Sequence, residues 1–516
     1  MSDSSSPRSK REAKKRTRTG CLTCRARKIK CDETPGRCAN CTRVMLECRW
    51  PVMRAVVQRG GGRPRTAACT GCRVARCRYK TDMTEVVEHV ENTAEEEIDR
   101  DILLPHLDAF FTSVYPVQGN AFIHRGTLLR DINARRADRA LLLAICAIAT
   151  RFLPTAVPGR ECGWAREAKA LLILEGTVSV QRVATALILA KHDIHCGRFS
   201  SAWMLAAMAT RGALALGLQK QEEEEEKTFI ERETKRRLFW ACYCLDRMMA
   251  PGLPDQILIR ADLADSIALP CEEHSFLLAI SPPRAGLLCS DDGEVGLFGH
   301  YVRMMSIRYE ILQTTRGGSN ASRNVPWMSS AFQECERKMT AWKASLPPQC
   351  QLRPDTIYAR QAQHQLTPLT MLHVWYEQCM ADLYRVVLPG FPETMAAEVL
   401  SSAPPDWVHG HQLACVEHAR SIARTLQTVS QHVDLAASPF LDGSLPMCVL
   451  ESMRVQLQWF FMNGQADAAA LREQVDLLLG YLQPMARYFR QAQWLVSSFS
   501  SFFSSSLLLF FFLILL

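Results

Sequence analysis

The sequence predicts a mainly α-helical protein in which a small cysteine-rich domain precedes a large all-helical domain. Six cysteines lie within the 28 residues from Cys21 to Cys48. From about residue 101 to residue 490, apolar residues recur at three- and four-residue steps, without a convincing run of the polar-apolar alternation typical of strands. With 516 residues, 48% of them hydrophobic, the chain is long enough for more than one domain and a large core.

The cysteines form two triplets with the same spacing, C-x2-C-x6-C, and the second repeats the first at an offset of 17 residues. A C-x2-C pair at the start of a helix directs two sulfurs toward one ion, so the spacing predicts thiolate-bound zinc. Two tetrahedral zinc ions with separate ligands would need more ligands than the six cysteines of this segment. Histidine cannot supply the rest, because the first histidine of the chain is His89, well beyond the segment. Two cysteines must therefore be shared, and by symmetry these are Cys21 and Cys38. The predicted ligand sets are Cys21, Cys24, Cys31 and Cys38 for one ion, and Cys38, Cys41, Cys48 and Cys21 for the other.

The two halves of this segment differ in charge. The first half carries four bases between its second and third cysteines, namely Arg25, Arg27, Lys28 and Lys30. The equivalent stretch of the second half has only Arg43, against Glu47. We therefore expect the first helix to contact a polyanion and the second to pack.

The charge of the whole chain is divided in the same direction. Residues 1–80 carry 22 Lys and Arg against 5 Asp and Glu, a net +17, and the remainder carries 39 against 48, a net −9, which together give the formal +8. A basic N-terminal segment followed by an acidic remainder is typical of a nucleic-acid-binding protein with a separate regulatory domain.

All six cysteines and the C-R-x-R-K-x-K-C core from Cys24 to Cys31 resemble the zinc binuclear cluster of fungal transcription factors, the Zn2Cys6 family. The resemblance implies two structural zinc ions and a first helix that enters the DNA major groove and reads a CGG-type triplet. Lys28 and Arg27 would then lie nearest the base edges, and Arg25 and Lys30 would bind phosphates. Two alternatives stay open, a zinc knot that binds protein and a disulfide knot.

The sequence indicates five segments. Residues 1–20 are a disordered basic arm whose KREAKKRTR run can act as a nuclear import signal, 21–50 the cluster domain, 51–100 a linker, 101–490 the helical domain and 491–516 a low-complexity apolar tail. The chain begins without the apolar core of a signal peptide, which favours a reducing compartment and thiolate–metal chemistry over disulfides.

The linker contains Cys69, Cys72 and Cys77, which look like half of a second cluster with its last gap two residues short. We interpret this stretch as a basic linker. An exon that was wrongly predicted in the gene sequence is an alternative explanation. The acidic residues 82–99 offer only Val86, Val87, Val90 and Ile98 for a coiled-coil seam, well short of three heptads. Dimerisation through this segment is therefore not predicted, although a homodimer formed elsewhere stays open.

The helical body resembles the fungal-specific transcription factor domain, or middle homology region, in residues 107–129, 195–218 and 233–270. The resemblance implies a helical regulatory domain that senses a small-molecule effector or a coregulator. We predict helices for Thr234–Met249 and near 297–315, 326–345, 365–388, 407–433 and 446–485.

No enzyme is predicted. His192 and Asp193, followed by His195, resemble the metal-binding pair of HD phosphohydrolases, but that chemistry needs further ligands from other helices, so we predict a structural role. We expect Cys242 and Cys244 to pack in the core. Asp246 with Arg247, and the run Lys235 to Arg237, are expected to be surface or inter-helix charges.

The C-terminal residues from Trp494 carry no charge, but the purely apolar end is only LLLFFFLILL, shorter than the roughly 20 residues of a membrane span. We therefore expect no membrane partner. A mispredicted exon, a tail anchor and a buried or aggregation-prone end are the alternatives for residues 497–516.

These observations predict a nuclear, sequence-specific regulator of RNA polymerase II transcription that binds double-stranded DNA. The principal alternative is a zinc-dependent protein-interaction module or corepressor without its own DNA specificity. The second alternative is a metal-dependent hydrolase activity in the helical domain. The sequence does not indicate target genes, half-site spacing, activation or repression, or the effector.

Overall fold

The computed structural model describes Cys31, Cys38, Cys41 and residues 98–504, apart from 155–158, 175, 221–227, 291–292, 317–329, 436–441 and 464–467. The chain separates into two compact units, Met1–Thr81 and Asp82–Leu516. In the described residues of the second unit the backbone is helices and turns, with an isolated bridge between Ala285 and Glu294 as the only β pairing. The predicted mainly α-helical fold is confirmed.

The first helices of this unit are α1 (Arg100–Ala109), α2 (Arg125–Asn133), α3 (Arg139–Ala149), α4 (Arg160–Leu174), α5 (Val180–His195), α6 (Phe199–Ala215), α7 (Phe229–Met249) and α8 (Glu273–Leu277). The later helices are α9 (Leu297–Arg316), α10 (Ser330–Ala344), α11 (Pro354–Ala362), α12 (Leu366–Tyr384), α13 (Ala397–Ser401), α14 (Pro405–Ser430), α15 (Leu445–Met462), α16 (Ala468–Leu482) and α17 (Arg490–Ser504).

Two helices lie at the centre of the packing. Helix α5 packs against α3 and α6, and α12 packs against α9 and α14. Both helices are buried along most of their length, which is why their apolar residues extend around the helix instead of forming one stripe. The buried side chains form one continuous hydrophobic core.

The ends of α5 follow from local sequence. Ser179 precedes the helix, and its hydroxyl accepts a hydrogen bond from the backbone N–H of Arg182, which satisfies one of the unpaired donors of the first turn. At the other end Gly197 has φ of 71°, a left-handed conformation that glycine adopts without strain. The N–H of Arg198 then donates to the carbonyl of Asp193 and closes the helix.

Helix α7 begins five residues before the predicted Thr234. Thr228 and Glu231 form a capping box, in which the Thr228 hydroxyl accepts from the N–H of Glu231 and the Glu231 carboxylate accepts from the N–H of Thr228. The prediction missed this start because the polar run from Glu231 to Arg237 interrupts the apolar periodicity after Phe229 and Ile230. The predicted end at Met249 is confirmed.

The C-terminal part differs from the prediction in two respects. The single helix predicted near 446–485 is two helices, α15 and α16, since α15 ends before Asn463, a poor helix former. The helical unit also continues past residue 490, because α17 includes Ala492, Leu495 and Phe499 as buried core residues. In the described part of the chain no helix combines the length and apolar character needed to cross a membrane. Residues 505–516, the rest of the predicted tail, lie outside the described residues.

The turn after α7 depends on Gly252, and its replacement is expected to be costly. Gly252 has φ of +80°, and a Cβ there would stand 2.4 Å from the backbone oxygen of Leu312 in α9. We expect Gly252→Ala to lower the free energy of unfolding by roughly 2–3 kcal/mol, because the backbone is strained and a rigid carbonyl must move. Urea denaturation followed by far-UV circular dichroism measures the change.

The matched control is Gly410→Ala in α14, where a Cβ would meet no atom within 4 Å. That substitution is expected to raise the free energy of unfolding by roughly 0.5–1 kcal/mol, since alanine loses less backbone entropy in a helix. Equal urea midpoints for the two variants would contradict the assigned role of Gly252.

Candidate metal centre

The described part of the cysteine cluster is Cys31, Cys38 and Cys41. Cys38 and Cys41 are fully buried and Cys31 is 6% exposed. The backbone N–H of Cys41 donates to the Sγ of Cys38 at 3.4 Å, and Cys41 is in helical conformation. An amide of this C-x2-C pair is thus directed at a sulfur of the same pair.

This arrangement fits zinc. An N–H group that donates to a sulfur stabilises the thiolate, the form of cysteine that binds metal ions, and burial excludes competing water. Thiolate sulfur is also a preferred donor for zinc. Cys31, Cys38 and Cys41, together with the other three cysteines of the two triplets, would hold the ions, which in turn would link the two halves of a segment too short to form a large core of its own.

Only part of each predicted ligand set can be placed. Cys21, Cys24 and Cys48 lie outside the described residues, as do the predicted DNA contacts Arg25, Arg27, Lys28 and Lys30. Each predicted zinc ion therefore has two described ligands at most. Among the described residues no group of three His, Cys, Asp or Glu side chains could hold a metal ion. The assignment of ligands and DNA contacts stays a prediction.

The pair His192 and Asp193 has a structural role in the helical unit. Both side chains are fully buried. One Asp193 oxygen accepts from Lys169 Nζ at 2.5 Å, and the other accepts from Arg198 at 2.7 and 2.9 Å. Burial alone would raise the pKa of Asp193, but its hydrogen bonds, first those with His192 and Lys169, hold it well below the ordinary value. The carboxylate is occupied by cations of the protein, so the arrangement does not support the hydrolase hypothesis.

Cys242 and Cys244 of α7 are core residues, as predicted. Both are buried, and burial raises the pKa of the Cys244 thiol to about 12 and that of Cys242 further. Thiols with such high pKa values are protonated and unreactive at neutral pH. Their role is packing.

Arg237 forms a buried network that the sequence analysis described only as surface or inter-helix charge. Its guanidinium is 1% exposed and donates to Glu233 at 2.9 Å, to Glu273 at 2.6 Å and to the carbonyls of Ala121 and Cys271. The network thus joins the segment before α2, helix α7 and helix α8. The inter-helix alternative is correct for Arg237, because three separate segments converge on one buried cation.

Asp246 and Arg247, at the end of α7, are also buried inter-helix charges. The Asp246 carboxylate accepts from the N–H groups of Leu258 and Ile259. The Arg247 guanidinium donates to the carbonyl of Ile259 and lies 5.5 Å from the ring centroid of Tyr309 in α9. These contacts hold the irregular segment after α7 against the helix.

The structure contains a groove that no sequence signal located. A space of about 350 Å³ lies between α14, α15 and α16, and its lining includes Arg420, Gln456, Trp459 and Gln474. A second space of about 350 Å³ on the other side shares Arg420 and Trp459. The predicted effector nevertheless stays a prediction.

Comparison with known proteins gives two family matches. Residues 19–54 match the fungal Zn(2)-Cys(6) binuclear cluster domain. Residues 107–344, which run from α1 to the end of α10, match the fungal specific transcription factor domain. The first range contains all six predicted zinc ligands and the second contains the Arg237 network.

Similar proteins carry names in agreement with these matches. The Zn(2)-C6 fungal-type transcription factor FTF1a of Fusarium oxysporum f. sp. lycopersici is 21% identical over 426 residues, which cover 76% of this chain and 38% of the relative. An uncharacterized transcriptional regulatory protein of Schizosaccharomyces pombe is 24% identical over 441 residues, covering 72% of this chain and 61% of the relative. The chain thus spans between about 40% and 60% of the length of these relatives.

The matches settle the family and the cofactor. A binuclear cluster domain of this type binds two zinc ions, so the predicted cofactor is confirmed. Transcription factors are not enzymes, which agrees with the prediction that the chain has no catalytic site. The chain belongs to the fungal transcription factors that combine a Zn(2)-Cys(6) binuclear cluster with a fungal specific transcription factor domain.

Proposed function

We propose that the chain is a nuclear, sequence-specific regulator of RNA polymerase II transcription that reads CGG-type triplets in double-stranded DNA. The observation that carries the proposal is the cluster match at residues 19–54, combined with four bases between Cys24 and Cys31 where the second half has one. A helix with this charge attracts phosphate from any sequence and can place side chains at base edges.

The zinc cluster acts in this proposal as a scaffold. All predicted ligand positions are cysteines, which leaves none open for water or substrate and makes the ions structural. The buried Cys38 and Cys41, joined by the 3.4 Å N–H···S contact, support a closed site of this kind. The zinc ions then cross-link the cysteines of the two halves, and the linked backbone fixes the position of the basic helix.

The proposed roles, a base contact for Lys28 and a phosphate contact for Arg25, predict different effects for two substitutions. Lys28→Ala is expected to relax sequence preference, because a lost base contact costs roughly 1–3 kcal/mol of discrimination. Arg25→Ala is expected to weaken binding to all duplexes alike and to reduce the slope of log K against log salt by about one. Titration of a CGG-containing duplex and a scrambled duplex at several salt concentrations, by fluorescence anisotropy, measures both effects.

Arg43→Ala is the matched control, because Arg43 is a base of the second half, which is predicted to pack and not to read DNA. It is expected to leave the preference for the CGG duplex unchanged. Equal loss on both duplexes for Lys28→Ala and Arg25→Ala would contradict the division between base and phosphate contacts.

The alternative function is a zinc-dependent interaction module or corepressor. It shares the zinc requirement, so zinc binding alone does not distinguish the two. A zinc-loaded full-length chain that shows no retention of any duplex at moderate salt would favour the alternative. Nuclear import is attributed to the basic residues 10–18, and imaging a fluorescent fusion with those bases replaced by alanine tests it.

The partners beyond DNA are further proposals. A homodimer is compatible with the family resemblance, and analytical ultracentrifugation of the full chain measures it. A small-molecule effector fits the groove at Arg420 and Trp459 by size, since a volume of about 350 Å³ accommodates a small ligand.

A further inference from the structure

A thiol, an imidazole, a carboxylate and two guanidinium groups meet at the C-terminal end of α5. The Sγ of Cys196, directly after the helix, lies 3.3 Å from Nη2 of Arg151 and 3.9 Å from Nε2 of His192. Arg151 belongs to the short 3-10 turn that follows α3. Cys196 is partly exposed as a residue, and its sulfur contacts a cationic group and an imidazole.

The orientation of the His192 ring follows from its neighbours. Nη2 of Arg198 lies 3.2 Å from Nδ1 of His192 and 2.7 Å from Oδ1 of Asp193. Nδ1 of His192 also lies 3.4 Å from Oδ1 of Asp193, so both of these neighbours are on the Nδ1 side of the ring, and Nε2 is the nitrogen that faces Cys196. Lys169 holds the second oxygen of Asp193 and fixes the carboxylate. Arg151 therefore directs an N–H group at the sulfur, and Nε2 of His192 faces it.

The surroundings favour the thiolate of Cys196. Burial alone would raise the pKa of Cys196, but the hydrogen bond and electrostatic interaction with His192, together with the charge and hydrogen bond of Arg151, lower it to about 6. Further charges nearby are Arg198, Asp193 and Lys169, and Arg490 of α17 lies beside Gly197. The thiolate is the nucleophilic form of cysteine and predominates at neutral pH when the pKa is this low.

The remaining described cysteines of the helical unit differ in this respect. The pKa of each is raised, with burial as the largest cause, and this set includes the partly exposed Cys162 and the exposed Cys289. The others are Cys146, Cys242, Cys244, Cys271, Cys335, Cys350, Cys379, Cys415 and Cys448. Within the described helical unit, Cys196 is thus the thiol whose environment promotes reaction.

We propose that Cys196 is a modification site at which hydrogen peroxide oxidises the helical unit ahead of its other thiols. The Cys196 sulfur attacks one oxygen of the peroxide, an S–O bond forms, and the O–O bond breaks. Hydroxide leaves and takes a proton from solvent, so the product is a sulfenic acid and water. The sulfur loses two electrons and the peroxide gains them.

The test uses the full-length, zinc-loaded chain. Brief exposure to iodoacetamide between pH 5 and pH 9, followed by peptide mass spectrometry, gives the labelling rate of each cysteine. We expect the Cys196 rate to rise with a midpoint near pH 6. At pH 7 it should exceed that of Cys162 by about ten-fold or more. Cys162 is the matched control because it is also partly exposed and also interacts with Arg198.

A second measurement identifies the oxidation product. Less than one equivalent of hydrogen peroxide is added with dimedone, which traps sulfenic acid, and we expect the adduct at Cys196 before Cys162 or Cys289. Peptides with the zinc-cluster cysteines are quantified separately. First adducts at Cys162 or Cys289, or a Cys196 labelling midpoint at or above that of Cys162, would overturn the proposal.

The variant Arg151→Gln tests the cause. It removes the cation and keeps a hydrogen-bond donor, so the labelling midpoint of Cys196 is expected to rise by about one pH unit. An unchanged midpoint in a variant with the wild-type circular dichroism spectrum would overturn the role assigned to Arg151. The wild-type measurements do not depend on this variant, so they test the site even where the variant does not fold.

Discussion

Cys38→Ser is expected to remove zinc from both sites of the cluster and to abolish specific DNA binding. Cys38 is predicted to bridge the two ions, it is fully buried, and its sulfur accepts the N–H of Cys41. A serine hydroxyl is a poor zinc ligand at neutral pH, so both coordination shells lose a donor at once. We expect bound zinc to fall from two ions to fewer than one per chain, and affinity for the CGG duplex to fall about 100-fold or more, to the level of non-specific binding.

Elemental analysis by mass spectrometry and anisotropy titration measure the two quantities on the full chain. Cys69→Ser is the matched control, because Cys69 lies in the linker, beyond the residues that match the cluster family. It is expected to retain two zinc ions and wild-type DNA affinity. Cys24→Ser, which removes a ligand of one ion only, should lose less zinc than Cys38→Ser. Equal zinc loss in these two variants would contradict the bridging role of Cys38.

Arg237→Met is expected to give a large loss of stability in the helical unit. The substitution removes the cation that contacts the fully buried Glu233 and the partly buried Glu273, at 2.9 and 2.6 Å, and leaves Glu233 with its other ion pair, to Arg236. Removal of one partner from a buried ion pair costs about 3–5 kcal/mol, because the remaining charge stays desolvated. The carbonyls of Ala121 and Cys271 lose a donor as well. Urea denaturation followed by circular dichroism measures the change.

The control for this prediction is Arg337→Met. Arg337 pairs with Glu334 on the exposed face of α10, at 2.6 Å, so the pair is similar in length but is surrounded by water. Exposed pairs contribute little to stability, because water and salt screen the two charges. The double variant of Arg237→Met with Glu233→Gln should recover part of the loss, because it removes one buried charge. An Arg237→Met urea midpoint equal to that of Arg337→Met would show that the network has no special role in stability.

The long, strongly periodic helices and their apolar faces could be predicted from the sequence. Helices α9 and α12 lie close to their predicted ranges, since a buried helix leaves a regular pattern of apolar residues. Helix starts were less predictable. The start of α7 is fixed by the reciprocal hydrogen bonds of Thr228 and Glu231, a short signal that apolar periodicity does not include.

The uncharged C-terminus shows a similar limit. From Trp494 onward composition alone suggested a low-complexity tail, yet α17 buries Leu495 and Phe499 in the core. Composition does not indicate whether an apolar segment finds a complementary surface, because that surface is built by distant parts of the chain. Packing decided the outcome for this segment.

The sequence by itself determined the family and the cofactor, because ligand spacing is a local property and thiolate chemistry allows few alternatives for six cysteines in this pattern. Only the tertiary structure decided which charges are buried and which thiol is activated. Arg237 meets Glu273 and the carbonyl of Ala121 across large separations in sequence, and Arg151 reaches Cys196 from another segment. Desolvation and charge proximity depend on distances in space, and residue order does not encode these distances in any local pattern.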